Sequence, residues 1–246
     1  DGAVTVTQGK LEGLSLSSVD FDGDDNIGAT LHASQKSTRE ITVSAWINFD
    51  DVTGRGIIGR INGEDSSSEF TLYIDGSSHL HSNIRATVSD GSGTASNETV
   101  TGTTAITADK WHHVALVVSS TGDSNVKQLY LNGVLETSAA FGKYLQTGTG
   151  QFKIGNGHND TAPFADGQIR DVRIYAGNAF SADQVASLYS GSYPATPDLW
   201  FKLNDGTTYT QDGLYSATSV SGTGDPTASN GTLDLDSTLT IAANGT

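Results

Sequence analysis

Ile41-Thr-Val-Ser-Ala-Trp-Ile-Asn-Phe49 alternates apolar and polar residues for nine positions. Ile41, Val43, Ala45, Ile47 and Phe49 face one way, and Thr42, Ser44, Trp46 and Asn48 face the other. That period of two is the mark of a strand with one face on a core. The second face sets a large aromatic among small polar groups, which suits either a covering layer or a ligand. Two later stretches belong with it, Trp111-His-His-Val-Ala-Leu-Val-Val118 and Ile169-Arg-Asp-Val-Arg-Ile-Tyr175. The first of these is nearly continuous in apolar residues, so a central strand covered on both sides is expected. All three are expected in the interior of the fold.

Working outward, Phe70–Asp75 alternates again, and Gln128–Thr137 carries Asn132-Gly133 between alternating apolar residues. Asn-Gly at that place predicts a two-residue type I′ hairpin. Ser181-Ala-Asp-Gln184 is a capping box, with Phe180 before it and Val185, Leu188 and Tyr189 on one side, so a short helix over about 181–190, closed by Gly191, is predicted. One helix among many short strands argues for a sandwich or jelly roll. Residues 89–104 are rich in Ser, Thr and Gly and read as a long loop. Tyr193-Pro-Ala-Thr-Pro197 reads as a linker. The expected organisation is a jelly roll over 1–192, a linker over 193–197, and a segment over 198–246 that folds back onto the same sandwich, since about fifty residues rarely bury enough surface alone.

Composition narrows the function classes. The 246 residues carry 28 acidic and 13 basic side chains, a formal net charge of −15. A phosphate backbone would be repelled, so nucleic acid is disfavoured as a partner. With no Cys, neither a disulfide framework nor thiol chemistry is available. With no Met, the sequence reads as a processed or excised chain. No apolar run approaches the roughly 18 residues that a membrane span needs, so membrane insertion is not expected. Tripeptides starting at Asn97, Asn159, Asn230 and Asn244 match the glycosylation acceptor pattern, at about the frequency chance gives in a chain rich in Ser, Thr and Asn.

Asp20-Phe-Asp-Gly-Asp-Asp-Asn26 crowds four carboxylates into six positions. Either it is a solvated acidic turn or a bound cation relieves the repulsion. An EF-hand is excluded, because Asp25 stands where that loop needs Gly and Leu31 where it needs Glu. His79 and His81 would share a strand face without a third ligand in view, and His112 and His113 read as structural. Glu64-Asp65-Ser-Ser-Ser-Glu69 is the nearest approach to paired catalytic carboxylates, and it lies in a Gly/Ser loop.

Together these pieces resemble the laminin-G-like jelly rolls of the concanavalin A-like lectin/glucanase superfamily. The resemblance rests on Phe21-Asp-Gly-Asp-Asp-Asn26, Ile41–Ile47, Trp111–Val114, Leu129–Gly133 and Gly167–Tyr189, five motifs in the family's order over about residues 19–191. It implies an all-β, two-sheet antiparallel sandwich with one short helix. It also implies a structural Ca²⁺ held by Asp22, Asp25, Asn26 and Asp171, although Arg170 and Asn26 depart from the family's pattern there. Leu199–Asp205 is similar to the lead-in that usually precedes the domain. The resemblance further implies a non-catalytic binding or adhesion module of an extracellular, cell-surface or virion-surface protein, recognising glycan or a glycosylated surface, with Trp46, Tyr73 and Asn159 as candidate ligand contacts. A structural decoration or fibre protein among other virion or cell-surface proteins is the alternative. A polysaccharide-degrading enzyme is third, because neither the glucanase nor the lyase strand motif is present.

Overall fold

The computed structural model of the protein describes residues 5–7, 10–12, 18–23, 26–30, 39–61, 69–87, 96–120, 125–145, 151–156, 164–203, 216–221, 227–229 and 232–234. They form two large sheets and one helix. The nine-stranded sheet runs in the order β12 (Val134–Ala140), β11 (Val126–Leu131), β10 (His112–Ser119), β5 (Glu40–Phe49), β15 (Asp166–Ala176), β3 (Ser18–Asp22), β19 (Thr232–Asp234) and β18 (Thr227–Ser229). β16 (Leu199–Phe201) pairs with β15 as well. The eight-stranded sheet runs β13 (Tyr144–Leu145), β8 (His79–Thr87), β7 (Phe70–Ile74), β6 (Arg55–Ile61), β14 (Gln151–Ile154), β4 (Asn26–Thr30) and β17 (Ser216–Ser221), with β9 (Ser96–Ala105) on β8. β1 (Thr5–Thr7) and β2 (Lys10–Glu12) make a separate ribbon. Among the described strands every pairing is antiparallel except that of β19 on β3.

The three stretches singled out in the sequence lie side by side. β5 is flanked by β10 and β15, with Val114 opposite Ala45, Leu116 opposite Val43, and Ile169 opposite Ile47. Their apolar faces enter one core with Phe70, Leu72 and Ile74 of β7 and Phe152 and Ile154 of β14. This is the jelly-roll sandwich that the alternation predicts. Asn132 and Gly133 take φ of 51° and 79° between β11 and β12, the type I′ hairpin.

β10 is apolar on its second face too, and the reason is a smaller second core. Ala115 and Val117, with Tyr130 and Tyr175, pack under Phe180, Val185 and Leu188. These last belong to α1 (Ala182–Tyr189) and its lead-in, so the helix lies on the outer face of the nine-stranded sheet. Its capping box is formed: Gln184 N–H donates to Ser181 Oγ (3.3 Å) and Ser181 N–H to Gln184 Oε1 (2.9 Å). Thr42 of β5 fastens the lead-in, donating to Asn178 O (2.8 Å) and accepting from Phe180 N–H (3.0 Å). The polar face of β5 is therefore split. Thr42 and Ser44 lie buried beneath the helix layer, and Trp46 stands at its edge.

One expectation fails. Residues 89–104 read as a loop, yet β9 occupies Ser96–Ala105. Thr favours strands, and β9 lies on β8 with only Val100 and Gly102 buried. With one apolar side chain to bury, the strand carries almost no hydrophobic period to read.

Candidate functional site

The edge of the helix layer is where the site forms. Across β10, β5 and β15, His113, Trp46 and Arg170 stand in one row on the outer face. Arg173 faces the same way, three residues further on, which a regular strand forbids because i and i+3 point to opposite faces. A bulge permits it: register slips between Arg170 and Arg173, and Asp171 takes φ of 50°. The extra residue turns both guanidiniums to one side. Asp171 N–H, lost to β5, donates to Lys202 O (2.9 Å).

β16 then lays Trp200 opposite Arg173 on that outer face, while Leu199 and Phe201 enter the main core. Gly191, at φ 81°, ends α1 with N–H bonds from Gly191 to Leu188 O (3.1 Å) and from Ser192 to Ser187 O (2.8 Å). That is a Schellman turn, which a residue in the left-handed region closes. It redirects the chain so that Tyr193 comes down over Arg173.

The result is a cavity of about 330 Å³ lined by Trp46, Tyr189, Tyr193 and Trp200 together with Arg170, Asp171, Arg173 and Lys202. The Tyr189 ring stacks on Trp46 (5.6 Å, 28°), and His113 meets Trp46 edge-on (5.4 Å). Arg170 lies over Trp111 (3.9 Å) and beside Trp46 (5.5 Å). Arg173 is held between Tyr193 (3.5 Å) and Trp200 (4.2 Å), and Lys202 sits over Trp200 (4.7 Å). Asp171 Oδ1 accepts from Arg173 Nε (2.8 Å) and from Trp200 Nε1 (2.6 Å), fixing both side chains. Burial, with the Arg173 charge nearby, pushes His113 down to about 4. Its imidazole is therefore neutral at pH 7 and packs behind the cavity against the Trp46 and Tyr189 rings. Burial also lowers Arg170 from the usual arginine range, partly offset by Asp171, but a guanidinium stays charged.

The four large apolar side chains exposed among the described residues gather here. Tyr189 (42%) and Tyr193 (51%) line the cavity. Val134 (64%) and Leu135 (43%) follow Gly133, which lies so near Tyr189 that a Cβ there would stand 2.9 Å from Tyr189 Cβ and 3.1 Å from its ring.

The residues expected from sequence are dispersed. Trp46 lines the cavity. Tyr73 lies on the outer face of the other sheet, beside His81 (4.8 Å between rings) and within 3.4 Å of Asn83 Nδ2, so one small ligand cannot touch both. Asn159 falls outside the described residues, as does Asp25. Asp22 ends β3 opposite Asp166, whose carboxylate is 3.0 Å from Arg55. Asn26 opens β4 in the other sheet. Asp171 lies roughly 15 Å along β15 from Asp166 at strand spacing and is engaged by Arg173 and Trp200. Asp171 therefore stands apart from Asp22 and Asn26.

Arg173, Tyr189, Tyr193, Trp200 and Lys202 were not legible as a site. They come together through a bulge and a helix end. The one available signal was Ile169, Val172 and Ile174, whose spacing of three and then two breaks the strand period.

Comparison with known proteins agrees with this fold. Against solved structures, a heptameric SAP-like pentraxin from Limulus polyphemus aligns at TM-score 0.54 and 16% identity, over 93% of this chain and 94% of that one. A putative carbohydrate binding protein from Bacteroides ovatus gives 0.59 and 18%, over 94% of this chain, which spans 61% of that protein. The CBM40 of the Ruminococcus gnavus IT-sialidase, bound to α2,3 sialyllactose, gives 0.52 and 15%, over 70% of this chain and 96% of that one. No curated protein matches the sequence. The laminin-G family model of the concanavalin A-like lectin/glucanases superfamily matches residues 21–186, most of the chain's length, and the protein belongs to that superfamily.

Proposed function

We propose that the chain is a non-catalytic carbohydrate-binding module whose ligand enters the cavity between Trp46, Tyr189, Tyr193 and Trp200. The observation that carries this reading is the cavity itself: aromatic walls on the sheet's outer face, with charged groups converging at the floor. Aromatic faces supply stacking area for sugar rings, and a few fixed polar groups orient them. At about 330 Å³ the volume is at the lower end of the roughly 300–1,000 Å³ of small-molecule sites, so it takes one end of a chain rather than a long stretch. Glycosidic hydrolysis needs two carboxylates about the bond, and Asp171 is the one carboxylate among the described lining residues. Carbohydrate-binding proteins among the structural neighbours support the reading. Extracellular or surface adhesion is the setting it suits.

A glycan array probed with the isolated chain tests it. Hits are expected, and Trp46→Ala should weaken them roughly tenfold, the loss of one stacking wall worth about 0.5–1.5 kcal/mol beyond area burial. An array without hits would leave the structural decoration reading in its place.

We propose in addition a structural Ca²⁺ at the turn between Asp22 and Asn26, supported by the crowding of carboxylates there and by hard oxygen donors being the ligands that calcium takes. At a hundred times its dissociation constant, the ion adds about 2.7 kcal/mol to stability. The melting temperature should be higher in calcium than in EDTA, and coincident curves would remove the ion from the account.

A further inference from the structure

We infer that the ligand of this cavity is an acidic sugar, a ring carrying an oxyanion as a carboxylate or a sulfate ester. The inference rests on the reading of the cavity as a glycan site and names the class of glycan.

The first argument is charge. The chain carries −15, yet the cavity holds Arg170, Arg173 and Lys202 against the single carboxylate of Asp171. Remote carboxylates are screened beyond about 8 Å at physiological ionic strength. A ligand inside the cavity therefore feels the local excess of cations rather than the net charge.

The second is hydrogen-bond type. A neutral sugar offers hydroxyls that donate as well as accept, and it needs acceptors on the protein. Among the described lining residues, Arg170, Arg173 and Lys202 only donate, the hydroxyls of Tyr189, Ser190 and Tyr193 both donate and accept, and Asp171 Oδ1 already takes two hydrogen bonds. The site's charged donors outnumber its one charged acceptor three to one. An oxyanion, which only accepts, is its complement.

The third is Arg173. Its side chain is 2% exposed, and its Nη2 makes no hydrogen bond. The Tyr175 hydroxyl, also without a hydrogen bond, interacts with the guanidinium electrostatically. A buried guanidinium with an unspent donor costs stability. Asp171 holds Nε, and the Tyr193 and Trp200 rings pack against the guanidinium, so the head group is fixed before any ligand arrives. Such preorganisation lowers the ordering cost of binding. Arg170, over Trp111 and Trp46, is the second cation of β15 that lines the cavity.

The experiment is an array holding neutral, uronate-, sialate- and sulfate-bearing oligosaccharides, probed with the whole chain at low salt and at 0.5 M NaCl in round terms, about a fivefold change in ionic strength that should weaken an ion pair. Acidic glycans are expected to dominate, to fade at high salt, and to show by their class whether the group is a carboxylate or a sulfate. Lys202→Gln and Arg170→Gln should each weaken the best acidic hit about tenfold, the loss of one charge-assisted contact. Lys202 is exposed, so its variant should melt with the wild type, and Lys202→Arg should restore binding. Hits confined to neutral glycans would overturn the acidic class and leave the glycan reading standing. Acidic hits indifferent to both variants would overturn this cavity as their site. No hits at all would overturn both readings.

Discussion

A chain ending at Ser192 is expected to lose most of its stability. β16 lies beyond that point, and Leu199, Phe201 and Leu203 are 0%, 1% and 5% exposed within the main core. The segment is tied by backbone as well: Asp198 N–H donates to Ile174 O (2.9 Å), Asp171 N–H to Lys202 O (2.9 Å), and Ala176 N–H to Asp198 Oδ2 (2.8 Å). Phe→Ala in a core costs about 3–5 kcal/mol and Leu→Ala about 2–5. A domain is worth about 5–15 kcal/mol in all, so losing three such side chains leaves little even if their effects overlap. Phe201→Ala alone should lower the unfolding free energy by about 3–5 kcal/mol, read from urea titrations of the full chain. We propose on this basis that the segment from Asp198 onward belongs to the sandwich rather than to a second domain. A 1–192 fragment unfolding at the same urea concentration as the full chain would make the segment an appendage.

The same strand shows where sequence reading reaches and where it stops. Leu199-Trp200-Phe201 could be recognised as a strand from its apolar residues, because burial leaves a pattern along the chain. Trp200 as a cavity wall could not, because its role depends on the bulge at Asp171, which sets Arg173 opposite it. Trp46 was readable as an aromatic on the polar face of β5, yet not whether a layer or a ligand covers it. The answer, the margin of a helix layer, is fixed by where Gly191 ends α1. Tyr193 sits in a stretch whose two prolines read as a linker, and composition says nothing of the ring resting on Arg173. Arg60 and Glu69 escape periodicity differently. They form a buried pair at 2.5 Å, with Arg60 near the Phe152 ring, where alternation alone predicts apolar residues. Alternation records which side a residue faces. It does not record which residues of distant strands arrive at the same place.

Gly167→Ala is expected to be severely destabilising. The residue holds φ of 119° at the start of β15, opposite Phe49 of β5. A Cβ there would stand 2.5 Å from Asn48 O, 2.7 Å from Phe49 Cα and 3.0 Å from Asp50 N. All three are backbone atoms of the central strand or its end, so no side chain can turn aside to make room. Holding a non-glycine residue in so sparsely populated a region costs about 1–3 kcal/mol before any overlap. With the overlap added, a loss above about 4 kcal/mol follows, in the range reserved for named structural failures. The damage should reach the cavity, since Gly167 leads directly to Ile169 opposite Ile47 and Arg170 opposite Trp46. If β15 relieves the clash by moving off β5, Arg170 leaves the Trp46 ring, and a slip of one residue would turn it to the other face. Gly142→Ala is the control: a Cβ there meets nothing within 4 Å, and the change should stay within about 0.5 kcal/mol. Urea titrations of the two variants, with the best array ligand as a second readout, decide the matter. A Gly167→Ala protein within about 1 kcal/mol of the wild type, well below the loss expected of such strain, would mean that β15 can back away from β5 at little cost, and that the row of His113, Trp46 and Arg170 is not held by this contact.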